Sequence, residues 1–239
     1  MLTPPRRRGF EILDDPAVDP AVRERSLRDV VRSNRWLGGG RAAVLAARDI
    51  FAELGPSATM LDVGTGLADI PSSVAEAALD AGIALTAIGV DSAHALLRHT
   101  APKLTYAVCA DAQALPFRDA SMDLVMCSQT LHHFDDADAV RVARELNRVA
   151  TRYVIVCDLR RSWLAAIGFW LVSFPLRFNR VTRHDGPTSV LRGFTRAELQ
   201  RIIERATGVT PTVTSRLGYR LTACWRPCAE ALAKQGVER

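Results

Sequence analysis

The sequence predicts an α/β fold: a mainly parallel sheet covered by helices on both faces, with a helical cap in front and an antiparallel hairpin at the end. Three observations carry this. Nearly continuous apolar runs of strand length alternate with helix-period segments from residue 57 onward, as buried parallel strands and their crossover helices do. The first run passes into its helix through Gly64-Thr65-Gly66, a loop of the kind that ends a parallel strand. The last two runs, Val209 to Arg216 and Tyr219 to Trp225, are joined across Gly218, too short a link for anything but a hairpin.

Taken in order, Asp19 to Leu37 is charged and helical in period, with Asp19-Pro20 as its start, and Gly38-Gly39-Gly40 breaks it. Arg41 to Leu54 forms a second helix closed by Gly55-Pro56. Strands are then predicted at Thr59–Val63, Ala84–Val90, Leu104–Ala110, Asp123–Ser128 and Tyr153–Cys157. Helices fall between them at Leu67–Leu79, Ala93–His99 and Asp136–Val149. Thr195 to Ala206 is a helix whose N-cap, Thr195, is three residues from Glu198, the spacing of a capping box. Pro211 cannot donate to a ladder, so the strand it opens belongs at a sheet edge. No repeat, low-complexity tract or linker interrupts the chain.

Composition bounds the function. The 239 residues suit one domain, with 48% hydrophobic and 24% charged residues as in ordinary globular chains. A net charge of +5 and a pI near 9.3 permit anionic partners without demanding nucleic acid. Five scattered cysteines argue for reduced thiols and a cytoplasmic location, and no His or Cys pair completes a metal site with Cys224 and Cys228. The basic start has no apolar signal region behind it. Trp163 to Leu176 runs without a charge but is too short to span a bilayer, leaving a core or lid helix or a peripheral membrane contact as its readings.

The chemistry is concentrated at three strand ends. Gly64 and Gly66 let the backbone turn tightly and approach a ligand. Asp62, just before them, would repel a pyrophosphate and welcome a cationic or zwitterionic ligand. Asp91 ends the second strand, placed to accept from ribose hydroxyls, and Asp111 follows the third, placed to accept from an exocyclic amine. Together they suit an adenosine that carries a positive group and no phosphate, which is S-adenosyl-L-methionine (SAM). Asp62, with Asp69 where a Gly-x-Gly-x-x-Gly pattern would end, argues against a nicotinamide dehydrogenase.

Residues 59 to 158 resemble a class I SAM-dependent methyltransferase of the small-molecule type that includes the quinone and polyketide enzymes. Asp62-Val63-Gly64-Thr65-Gly66 is similar to the family's first motif and Gly89-Val90-Asp91 to its second. Asp111-Ala112-Gln113-Ala114-Leu115-Pro116-Phe117 resembles its adenine-side motif, and Asp123 to Ser128 with Leu131-His132-His133-Phe134 its fourth-strand motif and loop. Ala68 replaces the third glycine, and Ala150-Thr151-Arg152 stands where Lys-Pro-Gly-Gly is usual. The resemblance implies a doubly wound, Rossmann-like, mostly parallel seven-stranded sheet. It implies a cap over residues 1–56 and a SAM-binding domain over 57–239, with an acceptor-side insertion at 159–194. It implies a cofactor site of Asp62, Gly64, Thr65, Gly66, Asp91, Ser92, Asp111, Ala112 and Ser128.

His132 and His133 follow the fourth strand and Asp158 ends the fifth, so a histidine base oriented by a carboxylate is expected there. His184 and Asp185 are expected in a loop that reaches over the substrate. Trp163, Phe169, Trp170, Phe174 and Phe178 are expected to wall an acceptor pocket for a flat, apolar or lipid-tailed compound, such as a phenolic polyketide or quinone precursor. The reading is a SAM-dependent methyltransferase of a small aromatic or hydroxylated metabolite, O-methylation ahead of C-methylation of a quinone precursor. An RNA methyltransferase lacks the clustered basic stripe with interleaved aromatics, and a SAM-binding protein without catalysis is the remaining alternative.

Overall fold

Met60, Leu61, Asp62 and Val63 lie at the centre of the molecule, all within 2% of complete burial. The strand that contains them, β1 (Ser57–Val63), has parallel partners on both sides. The computed structural model describes residues 3–7, 9–15, 17–94, 97 and 103–228. The remaining strands are β2 (Ala84–Asp91), β3 (Tyr106–Cys109), β4 (Met122–Ser128), β5 (Ala150–Leu159), β6 (Thr212–Arg216) and β7 (Arg220–Trp225). They form one seven-stranded sheet in the order β3-β2-β1-β4-β5-β7-β6. Only β7 runs against its neighbours, pairing antiparallel with both β5 and β6. Pro211 directly precedes β6, one of the sheet's two edge strands.

The helices are α1 (Pro20–Trp36), α2 (Gly39–Arg48), α3 (Asp69–Asp80), α4 (Asp136–Val149), α5 (Trp163–Ser173), α6 (Arg180–Arg192) and α7 (Arg196–Thr207). Period-two alternation along the strands sorts the core into two layers. Leu61, Val63, Val125, Val154 and Val156 pack with Leu146 of α4 and with Leu199 and Ile203 of α7. Met60, Leu124, Met126 and Ile155 pack on the other face with Ala43 and Ala47 of α2 and with Val74 and Ala78 of α3. The sheet is therefore doubly wound.

Two local features differ from expectation. Residues 180–192, which contain His184 and Asp185, form a helix with Pro187 inside it, not a loop. Asn179 caps that helix through its side chain, which accepts from the Val181 and Thr182 backbones, while Asp29 of α1 accepts from Asn179 N at 2.7 Å. The helix expected at 93–99 falls largely outside the described residues.

The N-terminal segment lies across the carboxyl edge of the sheet. Asp185 accepts from the backbone of Ile12 and Leu13 (2.9 and 3.0 Å), and Arg192 pairs with Glu11 and Asp14. The β6–β7 turn backs onto the end of α1, where Gly218 has φ +76° and a Cβ would lie 2.1 Å from the Leu37 carbonyl oxygen.

Thr195 and Glu198 form both bonds of the capping box that starts α7, and Glu198 also pairs with the buried Arg161 at 2.7 Å. Thr195→Ala should cost about 1 kcal/mol, lowering the midpoint of thermal unfolding by about 2–4 °C; scanning calorimetry of the two proteins checks this.

Candidate active site

The carboxyl ends of β1, β2 and β4 are in register, with Val63 opposite Val90 on one side and Cys127 on the other. Just beyond, Gly64 N and Thr65 N donate to Val90 O at 2.8 and 2.9 Å. Gly64 has φ +77°, and a Cβ there would be 2.1 Å from Thr130 Oγ1, so glycine is required both for the turn and for the approach of the β4 loop. Ala68, in the third-glycine position, adopts φ +57° while fully buried, so the replacement introduces backbone strain as well as a methyl group.

A cavity of about 800 Å³ opens over this edge. All nine residues of the expected cofactor site line it, as do His132 and His133. Asp91 is partly occupied by the protein itself: Oδ2 accepts from Gly66 N and Oδ1 from Ala93 N, both at 2.9 Å. Asp111 Oδ1 accepts from Gln113 N. By contrast, Asp62 Oδ1, Thr65 Oγ1 and Ser128 Oγ are buried without a hydrogen-bond partner. Burial, reinforced by the nearby Asp69 and Asp91, pushes the Asp62 carboxyl up to about 7.

His132 and Asp158 meet at the floor. After β4 the chain makes a 3-10 turn over Leu131–His133. His132 Nδ1 then lies 2.7 Å from Asp158 Oδ1, and His132 N donates to Oδ2 at 3.1 Å. Asp158 Oδ1 also accepts from Leu159 N at 2.7 Å. Burial acts to raise the Asp158 carboxyl, but the His132 charge and these bonds outweigh it and hold it below the usual range. With Nδ1 turned to the Asp158 carboxylate, Nε2 is left as the ring atom free to exchange a proton.

His133 stacks 4.4 Å from His132 but turns outward, with Nδ1 3.0 Å from Asp14 Oδ1. Burial acts to lower its pKa, and the Asp14 hydrogen bond with the charges of Glu11 and Asp14 raises it overall. Glu11, His132 and His133 hold ligand-type atoms within 4.8 Å of one another. The Arg192 guanidinium, 3.1 Å from Glu11, already supplies the positive charge of that cluster.

His184 is not brought to this site. Its ring is half exposed on α6, with Nδ1 2.7 Å from Asp185 Oδ1, and of the pair only Asp185 lines the cavity. Of the five expected wall aromatics, only Phe169 lines it. Phe178 is buried elsewhere, and Trp170 and Phe174 face solvent. In their place the N-terminal segment closes the cavity with Leu13, Leu27, Val30 and Val31. Asn34 of α1 ties this segment to the cofactor loop, since Nδ2 donates to Asp69 at 2.9 Å and Oδ1 accepts from Gln129 at 2.6 Å. Leu27, Val30, Val31 and Asn34 sit at helical spacing; Glu11 has no sequence signal beyond its charge.

Residues 61–156 match the family model for a methyltransferase domain. The chain carries a class I SAM-dependent methyltransferase domain. Solved structures agree on the fold. Magnesium protoporphyrin IX methyltransferase from Synechocystis PCC 6803 with bound SAM is 12% identical with a TM-score of 0.54, covering 91% of this chain and 88% of its own. A SAM-dependent methyltransferase from Aquifex aeolicus is 16% identical (TM-score 0.52; 76% and 89% covered), and one from Thermotoga maritima is 15% identical (TM-score 0.54; 86% and 99%). No curated protein matches the chain by sequence.

SAM is the methyl donor of this family, and the methyltransferase's own residues fit it. Asp62, Thr65 and Ser128 line the cavity with buried polar groups beside the glycine loop, and the acidic groups around it complement an ammonium and a sulfonium. Binding a cation beside Asp62 favours its ionised form, so a proton should be released on binding. SAM affinity should therefore fall by up to about tenfold per pH unit below pH 7, and Asp62→Asn should flatten this dependence while weakening binding. Calorimetry at pH 5.5 and 7 measures both effects.

Proposed function

We propose that the methyltransferase moves a methyl group from SAM to an oxygen of a small, largely apolar hydroxylated acceptor. The supporting observation is the buried His132–Asp158 pair on the floor of the cavity that the cofactor residues line. SAM, when bound, supplies an electrophilic methyl. Asp62, Thr65 and Ser128 bind its polar end, Asp91 and Ser92 the ribose, and Asp111 and Ala112 the adenine. Asp158 fixes the His132 ring, and Nε2 would take the acceptor's hydroxyl proton as the methyl passes from sulfur to that oxygen, with the bonding pair left on sulfur in S-adenosylhomocysteine. The N-terminal segment excludes water above the reacting groups, with Asn34 and Glu11 as positioning residues.

The oriented imidazole of His132 answers to the one proton that methylation of a hydroxyl oxygen must remove. His132→Ala should lower the turnover number by about 10²–10⁴-fold with SAM affinity within a factor of about two. Asp158→Asn, which can donate to Nδ1 and so favours the other tautomer, should lower turnover. Labelled-SAM transfer to a panel of phenols and hydroxylated quinones, with mass spectrometry of the products, tests this; unchanged turnover in His132→Ala removes it as the base.

A second surface bears on the acceptor's source. α5 and its C-cap residue Phe174 turn Leu164, Ile167, Trp170, Leu171 and the Phe174 ring outward, each about half exposed. Between Arg160 and Arg192 the sole acidic residue is Asp185, which is buried, while Arg177 and Arg180 are exposed beside that face. No helix among the described residues is long and apolar enough to cross a membrane. An apolar face with a basic rim suits the surface of an anionic bilayer, and we assign it to peripheral contact there. The protein should sediment with phosphatidylglycerol-containing vesicles but not with phosphatidylcholine alone, and Trp170→Glu should abolish this. A wild-type protein left in the supernatant refutes the assignment.

A further inference from the structure

Arg220 has no role in the chemistry described so far, and its setting is unusual. It opens β7 opposite Leu159, is only 5% exposed, and lines the main cavity. Its Nε is buried without a hydrogen-bond partner, and among the described residues no carboxylate pairs with it. Asp158, whose charge it senses, is already committed to His132 and Leu159. Burial brings the guanidinium down to about 10, so it stays charged at neutral pH. A buried cation without a partner destabilises a fold, and an anion arriving in the cavity would relieve it.

A second cavity, of about 470 Å³, adjoins the first at Arg220, Phe169 and Val190. Its walls are largely apolar: Trp36 and Leu37 at the end of α1, Leu164 and Val172 of α5, and Leu217 of the β6–β7 turn. Gly168 also lines it, and a Cβ at that position would meet nothing within 4 Å. The cavity borders the exposed face of α5, to which Leu164 also belongs.

We propose that Arg220 binds an oxyanion of the acceptor, a carboxylate or an acidic phenol, and that the second cavity receives the acceptor's apolar tail. The acceptor is then an acidic amphiphile, its head between Arg220 and His132 and its tail leading away beneath α5. This rests on the methyl-transfer reading for the name acceptor, but the binding site can be tested without turnover.

The test is calorimetric titration of the full chain, with S-adenosylhomocysteine present, using three probes: 4-octylbenzoate, benzoate and 4-octylbenzyl alcohol. The wild type should bind the octyl acid at least about tenfold more tightly than the alcohol, the value of a charge-assisted bond. It should bind the octyl acid at least about a hundredfold more tightly than benzoate, from burial of the tail. Arg220→Gln should bind acid and alcohol alike with no loss of thermal stability, because it removes an unpaired buried charge; a structural arginine would instead cost stability. Gly168→Leu should lose the tail preference and bind benzoate as the wild type does. Equal wild-type affinity for acid and alcohol, or an acid preference that survives Arg220→Gln, overturns the oxyanion site. A tail preference that survives Gly168→Leu overturns the tail cavity. Repeating the titrations without S-adenosylhomocysteine separates the two readings: a chain that does not bind it refutes methyl transfer and still reports on Arg220.

Discussion

Asp158 is wholly buried and ionised at the end of β5, and a charge so placed has to be matched by donors. The match comes from His132 N, His132 Nδ1 and Leu159 N. Meeting that demand draws the chain after β4 into the tight turn at Leu131–His133, which brings the loop against Gly64 through Thr130. The glycine loop and the proposed base, His132, are therefore not independent modules. A change that repositions the turn disturbs the wall of the glycine loop as well.

Around this centre the charges are graded. Asp62, on the cofactor side, is buried among carboxylates and poised for a cation. Arg220, on the opposite side, is buried and poised for an anion. His132 lies on the floor of the same cavity, oriented by Asp158. A donor that carries positive charge and an acceptor that carries negative charge would each meet a complementary wall and oppose entry at the other's site. Orientation then follows from electrostatics before shape contributes.

The sheet, the glycine loop and the strand-end acids were legible because each depends on local chemistry. Apolar runs of strand length, a Gly-Thr-Gly turn and acids at fixed offsets need no tertiary knowledge. The expected β5 was shorter than the observed Ala150–Leu159 because Ala150, Thr151 and Arg152 have no apolar signal, and pairing with β4 extends it. His184 and Asp185 read as loop residues because the Gly186-Pro187 that follows them is turn chemistry. Their helix is held by contacts from α1 and from residues 11–14, which no local window contains. The aromatics of α5 were legible as a cluster, but which of them face inward depends on how α5 lies against α6. Glu11 and Arg220 were not legible, since only the third dimension shows that one closes the cavity and the other is buried in it without a partner.

Gly218 touches the Leu37 carbonyl oxygen so closely that no side chain fits, and Gly38, at φ +86°, sits on the other side of the same contact with its own potential Cβ 3.1 Å from the Leu217 carbonyl oxygen. Two backbone segments 180 positions apart are thereby constrained together, since a side chain at either would force them apart and open the wall of the second cavity. Substituting either glycine would therefore reshape the second cavity while leaving the Gly64–Gly66 loop as it is.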